Sequence, residues 1–336
     1  MNKSILYIGN DLRKSTRYTT TMDTLSYLLS SSGYNIYKSS SKVNKGFRLL
    51  DMWITIIRLR KKLDFVLIDT FSSSNFYYAL VTSQLCRFYR LKYLPILHGG
   101  NLPYRLKKYP KLSSLVFKNS YVNIAPSGYL KYEFEQMGFK TQLIPNIIPI
   151  VDYSYKERKK ITPKLLYVRA FAKTYNSTMA IEVMKKLIRV YPMATLCMIG
   201  PDKDGTLADV QDLISTYGLD KSVEITGVLA QKEWHKKSKA FDIFINTTNI
   251  DNTPVSVIEA MALGLPVVST NVGGLPYLIQ HNKDGVLVEK NNPSAMTTEI
   301  CKILEENKYS LALNARKKVE NFDWNIVKSK WMKILQ

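Results

Sequence analysis

Residues 248–274 read TNIDNTPVSVIEAMALGLPVVSTNVGG, a polar loop followed by a helix start, an apolar helix and a buried strand. A helix that begins at 254–256 presents free backbone N–H groups and a positive dipole end, which together can hold a phosphate. Glu259 follows one turn into this helix, and Asp251 precedes it in the loop. Both carboxylates can accept hydrogen bonds from sugar hydroxyls beside the phosphate, so the stretch predicts a site for a nucleotide sugar.

The sequence around this stretch alternates short β-type runs with helical runs. Strand, helix, strand at this spacing predicts parallel sheets with crossover helices, and therefore an α/β fold. A polar, basic segment, residues 152–164, interrupts the alternation and is interpreted as a linker between two doubly wound domains. The predicted strands are ILYIG, YNIYKSS, DFVLIDT, KYLPIL, YVNIAPS and TQLIPN before this segment, and LLYVRAF, TLCMIG, SVEITG, FDIFINT, PVVST and GVLVE after it. The predicted helices include 21–31, 49–63, 177–191, 206–217 and 255–263.

The net charge of +21 is concentrated in the first half of the 336-residue chain, where residues 1–150 carry 22 Lys and Arg against 7 Asp and Glu. Such an asymmetry indicates a polyanionic partner, either a nucleic acid or an anionic membrane surface. A generally basic protein with solvated lysines is the alternative. No apolar run approaches the roughly 18 residues of a spanning helix, and the first apolar run is too short for a signal peptide. We therefore expect a soluble, cytoplasmic protein.

The cysteines and histidines give no sign of a metal site. The three cysteines are odd in number, widely separated and outside any C-x-x-C pair, and no two histidines have metal-ligand spacing. We expect no bound metal. His235 and His281 are expected at the surface, whereas His98 ends a strand next to two glycines, which suits a cleft as well as a structural position.

Several polar residues follow predicted strands directly, and in open parallel sheets ligands bind beyond the carboxyl ends of the strands. Arg169 follows LLYV and Lys173 lies four residues further on, so two cations stand where a diphosphate would need its charge neutralised. Two unrelated surface cations are the alternative, although residues 248–274 belong to the same predicted domain. Gly9 and Asn10 end the first strand and are predicted to line the cleft. They lack the G-x-G-x-x-G pattern, which argues against a nicotinamide site.

Glu259 has apolar neighbours along its helix, so we expect it to be partly buried and to need partners. A structural role, as a cap or in a pair with a lysine, is the alternative. Gly273 and Gly274 after the PVVST strand allow a ligand to approach the backbone closely, and a tight turn explains either glycine equally well.

Two segments of the first half, residues 45–63 and 86–94, mix cations with aromatic side chains, and residues 104–112 continue the second. This composition is typical of an interfacial surface and predicts contact with an anionic membrane. Packing of amphipathic helices on their own sheet is the alternative. The cations predicted to form the acceptor and membrane face are Arg58, Arg60, Lys61, Arg87, Arg90, Lys107 and Lys108.

Across nearly its whole length the chain resembles the family 4 retaining glycosyltransferases, whose GT-B fold has two Rossmann-like domains facing across a cleft. The resemblance rests above all on DNTPVSVIEAMALGLPVVSTNVGG, and then on LLYVRAFAK, FDIFINTT and the CMIGP and EITGVL strand ends. ILHGG, IAPSGYL, LIPNI and FDWNIV support it. The implied domains are residues 1–152 plus 322–336, which bind the acceptor, and residues 153–321, which bind the donor.

The resemblance implies a role for each matching residue. Arg169 and Lys173 would bind the donor diphosphate, Glu259 the ribose hydroxyls, and Asp251, where the family usually has Glu, the donor sugar. His98 matches the family's cleft histidine, which touches the donor sugar. These five residues form the implied catalytic set. The implied donor-binding set adds Gly9, Asn10, Gly200, Gly227, Val228, Thr253, Pro254, Val255 and Ser256.

Two departures concern the cationic loop. The family's glycine before the strand-end arginine is Val168 here, and the spacing from the arginine to the lysine is one residue shorter. The resemblance therefore implies a loop of different shape around Lys173, and Asp251, one methylene shorter than Glu, implies a difference in sugar choice.

Enzymes of this family need no metal or other cofactor, and the departing phosphate oxygen takes the acceptor proton, so stabilisation of the leaving diphosphate dominates catalysis. The resemblance implies a UDP- or GDP-linked donor. A basic, aromatic first domain suits a polyprenyl-diphosphate-linked saccharide acceptor at the inner face of the cell membrane, as in capsule, O-antigen or exopolysaccharide assembly. The rival interpretations are a GT-B epimerase of nucleotide sugars and a non-catalytic nucleic-acid-binding protein. No recognisable nucleic-acid module supports the latter, so we expect no nucleic-acid partner.

Overall fold

A computed structural model of the chain describes residues 3–9, 20–39, 42 and 44–336. Contacts divide the chain into unit 1, Met1–Ile147 with Trp324–Gln336, and unit 2, Ile148–Asp323. The domain boundaries expected from the sequence fall after residue 152 and before residue 322. Within the described residues each unit holds one parallel six-stranded sheet, so the prediction of two doubly wound α/β domains is confirmed.

Unit 1 is a sheet in the order β2-β1-β3-β4-β5-β6. Its central strands are continuous apolar runs because helices cover both faces of a parallel sheet; the side chains from Ile5 to Ile8 are at most 1% exposed. The chain passes from β1 to β2 on one side and then to β3 on the other, so the switch point lies between β1 and β3. The elements are β1 Ser4–Ile8, α1 Thr21–Ser31, β2 Asn35–Ser39, α2 Lys45–Leu59, β3 Phe65–Thr70, α3 Phe76–Phe88, β4 Lys92–Leu97, α4 Leu102–Lys108, α5 Pro110–Phe117, β5 Asn123–Ala125, α6 Gly128–Gln136 and β6 Thr141–Leu143.

Unit 2 repeats this architecture in the order β12-β11-β10-β7-β8-β9. The chain runs outward from β7 to β9 and then crosses to β10 on the other side of β7. The switch point therefore lies between β7 and β10. The elements are β7 Lys164–Val168, α7 Ser177–Leu187, β8 Thr195–Ile199, α8 Thr206–Thr216, β9 Val223–Gly227, α9 Gln231–Lys237, β10 Ile243–Asn246, α10 Val255–Ala262, β11 Val267–Thr270, α11 Leu275–Leu278, β12 Val286–Val288, α12 Pro293–Glu305 and α13 Ser310–Glu320. A last helix, α14 Trp324–Leu335, returns to unit 1 and buries Val327, Trp331 and Leu335 there.

The segment 152–164, interpreted from its charge as a linker, is packed into unit 2. Tyr153, Arg158 and Ile161 are 4%, 3% and 6% exposed. The Arg158 guanidinium donates to five carbonyl oxygens, at distances of 2.7 to 3.1 Å, of Lys156, Ser238, Phe241, Leu263 and Gly264. The linker interpretation is wrong. In sequence, a charged segment whose polar groups are buried and hydrogen-bonded looks the same as one whose charges are solvated.

Helix α2 begins four residues earlier than predicted because Asn44 caps it, its side chain accepting from the N–H groups of Gly46 and Phe47. One face buries Met52, Ile56 and Leu59, and the first two belong to the core of unit 1. A second apolar face points to solvent and comprises Phe47, Leu50, Trp53, Ile54 and Ile57, which are 38 to 66% exposed. No helix in the described part of the chain has both the length and the apolar character needed to cross a bilayer.

Candidate active site

The switch point of unit 2 brings Arg169 and Asp251 together, as the position of the two residues after β7 and β10 predicts. Nη2 of Arg169 donates to Oδ2 of Asp251, and the guanidinium lies 4.3 Å from the ring centroid of Tyr175. Burial lowers the pKa of Arg169, but Asp251 and neighbouring tyrosines outweigh this and raise it, so the group stays charged. Nε of Arg169 is buried and has no hydrogen-bond partner in the described residues. This free donor can serve an anionic ligand.

Lys173 begins a short 3-10 helix, Lys173–Tyr175, in the connection between β7 and α7. Its N–H donates to Oδ2 of Asp204 at 2.9 Å, and its carbonyl oxygen accepts from Nδ2 of Asn249 at 3.2 Å. Hydrogen bonds from the Thr206 hydroxyl and then from the Lys173 N–H hold the pKa of Asp204 below its usual value, so the Asp204 carboxylate stays ionised. The Lys173 side chain is exposed and forms no ion pair with any described residue. The loop thus carries a solvated cation close to the loop that holds Asp251.

Gly273 and Gly274 pack against that same loop. A Cβ on Gly273, whose φ is +53°, would lie 2.0 Å from the carbonyl oxygen of Asp251, and one on Gly274 would lie 2.0 Å from that of Asn252. The Gly274 N–H also donates to the Asp251 carbonyl at 3.1 Å. The pair forms a tight turn that packs against the Asp251 loop, and the approach of a ligand to its backbone stays a prediction.

Helix α10 begins without a side-chain cap. The N–H groups of Val257 and Ile258 both donate to the carbonyl of Pro254, at 3.1 and 3.2 Å. The N–H groups of Val255 and Ser256 have no partner in the described residues, and Oγ of Ser256 is buried without one. A helix start with unused N–H groups and a buried hydroxyl suits an anion.

Glu259, one turn further along, is 5% exposed, as its apolar neighbours predict. Oε1 accepts from the Tyr153 hydroxyl at 3.0 Å and from Nε2 of Gln231. Nε2 of His235 lies 3.4 Å from the same oxygen, and its side chain is 12% exposed. The expectation that His235 lies at the surface is wrong, because α9 turns it toward α10. His281 is exposed, as expected.

Three further members of the implied donor set lie at the carboxyl ends of β8 and β9. Gly200 leaves no room for a side chain, since its Cβ would meet the Arg169 carbonyl oxygen at 2.1 Å, and its N–H donates to the Gly227 carbonyl at 2.9 Å. Gly227 has a φ of +69°, and Val228 follows it. Thr253 is buried in the loop before α10. Asn10 lies outside the described residues.

The switch point of unit 1 holds a second polar cluster, around Asp69 at the end of β3. Oδ1 of Asp69 lies 2.7 Å from Nε2 of His98 and accepts from the Tyr7 hydroxyl at 2.9 Å. Phe71 stacks on the His98 ring at 5.2 Å. Gly9 makes room for this cluster, since a Cβ there would lie 2.5 Å from Oδ2 of Asp69. Sequence reasoning found His98 and Gly9 but missed Asp69, although it occupies the same strand-end position in DFVLIDT.

The seven cations of the predicted acceptor and membrane face fall into two groups. The first group precedes β3 and β4 and therefore lies at the amino edge of the sheet, opposite His98; it consists of Arg58, Arg60, Lys61, Arg87 and Arg90. There the Arg60 guanidinium lies 5.4 Å from the Tyr89 ring, and Arg87 and Arg90 line an open concavity. The second group, Lys107 and Lys108, ends α4, where Lys107 lies 3.8 Å from Glu133. That the two groups act together as one acceptor and membrane face stays a prediction.

No group of three or more His, Cys, Asp or Glu side chains is arranged to hold a metal ion in residues 3–9, 20–39, 42 and 44–336. The independence from metal that the resemblance implies stays a prediction.

Comparison with known proteins supplies the family context. The family model described as glycosyl transferases group 1 matches residues 154–320, which is nearly all of unit 2. The amylovoran biosynthesis glycosyltransferase AmsK of Erwinia amylovora is 30% identical over 138 residues, 38% of this chain and 34% of that protein. A UDP-Gal:alpha-D-GlcNAc-diphosphoundecaprenol alpha-1,3-galactosyltransferase of Escherichia coli is 29% identical over 91 residues, 27% of this chain and 23% of that enzyme. The chain thus matches about a third or less of the length of these relatives.

Solved structures extend the likeness to both units. Sucrose-phosphate synthase from Thermosynechococcus elongatus matches with a TM-score of 0.85 at 16% identity, over 99% of this chain and 98% of that one. HepE of Anabaena in complex with UDP and glucose matches with a TM-score of 0.78 at 16% identity, over 99% of both chains. At this identity the likeness concerns the fold, and it confirms the predicted GT-B fold.

Proposed function

Because the chain belongs to the glycosyl transferases group 1 family through residues 154–320, we propose that it is a retaining glycosyltransferase that moves a sugar from a UDP- or GDP-linked donor to a saccharide acceptor. The observation that carries the proposal is the Arg169–Asp251 pair at the unit 2 switch point, in which Nε of Arg169 is left without a partner in the described residues. Arg169 with its unused Nε, the cation of Lys173, the uncapped start of α10 and the carboxylate of Glu259 all belong to the unit that matches the family.

These groups are proposed to bind different parts of the donor. In the proposed site, Arg169, Lys173 and the N–H groups at the start of α10 bind the diphosphate and stabilise its charge as it leaves. Glu259 accepts the ribose hydroxyls, and Asp251 contacts the sugar. For His98 we propose a contact with the donor sugar. The protein cations take the role of neutralising the leaving group, so the reaction needs no metal.

The exposed apolar face of α2 supports an acceptor at a membrane. Phe47, Leu50 and Ile54 are at least 50% exposed, and the helix ends among the amino-edge cations. An apolar helical face beside cations is the chemistry of attachment to an anionic bilayer surface. The names of two relatives support the same acceptor, since one is an amylovoran biosynthesis glycosyltransferase and the other acts on a diphosphoundecaprenol-linked sugar. We propose a polyprenyl-diphosphate-linked saccharide of a surface polysaccharide as acceptor, and a peripheral location at the inner face of the cell membrane.

The first experiment tests donor binding by thermal shift with UDP, GDP and their sugars. A ligand at 100 times its Kd should raise stability by about 2.7 kcal/mol. Transfer to a polyprenyl-diphosphate-linked acceptor, with and without EDTA, then gives the rate and the metal dependence. Retention at the anomeric carbon is read from the product by NMR.

The site is tested with Glu259→Ala and Lys173→Ala, each of which should lower kcat/KM by roughly a hundredfold or more with the fold intact. Lys221→Ala is the matched control, because Lys221 is an exposed cation that precedes β9 at the opposite edge of the same sheet. Turnover of Glu259→Ala and Lys173→Ala equal to that of the control contradicts the site.

Two outcomes would favour the rival functions. Conversion of the donor alone into another free nucleotide sugar indicates an epimerase. Salt-sensitive binding of RNA or DNA without any binding of nucleotide sugars indicates a nucleic-acid-binding protein.

A further inference from the structure

The carboxylate of Glu259 is held from one side. Both of its hydrogen-bond donors, the Tyr153 hydroxyl at 3.0 Å and Nε2 of Gln231, reach Oε1. Oε2 makes no hydrogen bond or ion pair with any described residue. A buried carboxylate needs donors to stay ionised, and here they are supplied without use of the second oxygen.

The two donors also restrain each other. Nε2 of Gln231 lies 3.2 Å from the Tyr153 hydroxyl oxygen, and the His235 ring packs on Tyr153 with the centroids 4.8 Å apart. Burial, and then the charge of Glu259, raise the pKa of Tyr153 well above its usual range, so its hydroxyl remains a donor at any physiological pH. Rotation of the carboxylate would break both hydrogen bonds.

We infer that Tyr153 and Gln231 are positioning residues for the donor nucleotide: they saturate Oε1 of Glu259 and present Oε2 to the ribose hydroxyls. The inference rests on the proposed function, in which Glu259 accepts these hydroxyls. It adds two residues, from the segment before β7 and from the start of α9, that no motif of the sequence indicates. An acceptor held in place binds a hydroxyl without first losing its own rotational freedom, and this pre-organisation favours ribose over deoxyribose.

The inference predicts a binding effect that acts through Glu259. Tyr153→Phe removes one oxygen and keeps the ring, and it should weaken UDP or GDP binding about tenfold, the worth of one charge-assisted hydrogen bond. Gln231→Leu should have a similar effect. The KM for the donor should rise by the same factor while kcat stays within about twofold, because the reacting centre is untouched.

A matched control exists in the same unit. The Tyr217 hydroxyl donates to Oε1 of Glu182 at 2.6 Å, at the end of α8 and on α7, so Tyr217→Phe removes the same kind of hydrogen bond outside the site. Calorimetric titration with UDP and GDP should give the unmodified Kd for Tyr217→Phe. It should give the raised Kd for Tyr153→Phe.

The decisive measurement is a cycle with Glu259→Ala and with 2′,3′-dideoxy-UDP or 2′,3′-dideoxy-GDP. Once the carboxylate or the hydroxyls are absent, Tyr153→Phe should cost no further affinity. An equal loss in the Glu259→Ala background, or an unchanged Kd for Tyr153→Phe alone, overturns the inference. If Glu259→Ala itself binds both nucleotides like the unmodified protein, the proposed function fails and the inference with it. If Glu259→Ala weakens binding and Tyr153→Phe does not, only the inference fails.

Discussion

Asp69→Asn is the substitution that best tests how unit 1 holds His98. Oδ1 of Asp69 takes hydrogen bonds from the Tyr7 hydroxyl at 2.9 Å and lies 2.7 Å from Nε2 of His98. The side chains are well shielded from water, with Tyr7 fully buried and Asp69 8% exposed. Asn keeps the volume but removes the charge. It also lets an amide NH₂ face His98, which would favour the other tautomer of the ring.

The expected loss of folding stability follows from these two contacts. A hydrogen bond to an ionised group contributes about 1.5–3 kcal/mol and a neutral one about 0.5–1.5 kcal/mol, so the loss is roughly 1 kcal/mol per contact and about 2 kcal/mol in total. For a unit of this size each kcal/mol moves Tm by about 2–4 °C, which predicts a fall of roughly 4–8 °C. If His98 contacts the donor sugar, its misplacement should also lower kcat/KM by about tenfold to a hundredfold.

Thermal unfolding and steady-state kinetics measure the two effects separately. Asp64→Asn is the matched control, because Oδ2 of Asp64 accepts from the Ser4 N–H at 2.8 Å at the opposite end of the same strand pair. The control should lose stability and keep kcat/KM. The reasoning is refuted if Asp69→Asn loses no more kcat/KM than Asp64→Asn does.

Three further predictions concern other parts of the molecule. Gly273→Ala should weaken nucleotide binding strongly in calorimetry, because its Cβ would lie 2.0 Å from the Asp251 carbonyl oxygen; Gly218→Ala, also at positive φ but with nothing within 4 Å, should cost only about 1–2 kcal/mol of stability. Arg158→Met should lower the free energy of unfolding by about 3–5 kcal/mol in urea titrations, because five carbonyl acceptors lose a buried cation. Phe47→Ser, at a side chain 66% exposed, should weaken sedimentation with anionic vesicles about tenfold or more, and equal sedimentation of both proteins would contradict membrane docking through α2.

The sequence predicts the two sheets and the pairing of Arg169 with Asp251, because both depend on local sequence patterns. Continuous apolar runs identify the parallel strands, and the strand-end rule then brings Arg169 and Asp251 together across 82 residues of chain. Helix ends were less predictable: α2 begins at Lys45 rather than at 49 because the Asn44 side chain caps it. The 255–263 prediction lies within one residue of α10, where Pro254 leaves little choice of helix start.

The partners of Glu259 could not be predicted, because they depend on packing between distant segments. Tyr153 lies 106 residues away along the chain and Gln231 lies 28 residues away, each in a stretch whose charges suggest solvent. The position of His235 could not be predicted for the same reason. The segment WHKKSK has the composition of a surface turn, and only the packing of α9 against α10 brings His235 to Glu259. Residue types alone could not distinguish a carboxylate held by a tyrosine from one paired with a lysine.

In both units, a tyrosine and a histidine lie beside one oxygen of a carboxylate. In unit 1 a tyrosine hydroxyl and a histidine lie on one oxygen of Asp69, and in unit 2 Tyr153 and His235 lie on one oxygen of Glu259, at 3.0 and 3.4 Å. A tyrosine adds no charge, so it can fix the orientation of an acid without neutralising it, whereas a lysine in its place would pair with the anion and compete with the ligand. Replacement of either tyrosine by Phe therefore tests orientation apart from charge, because it removes one of the groups that hold the carboxylate oxygen and introduces no new charge. In unit 2, a loss of nucleotide affinity after that change would mean that orientation, beyond the presence of an anion, is what the ribose hydroxyls require.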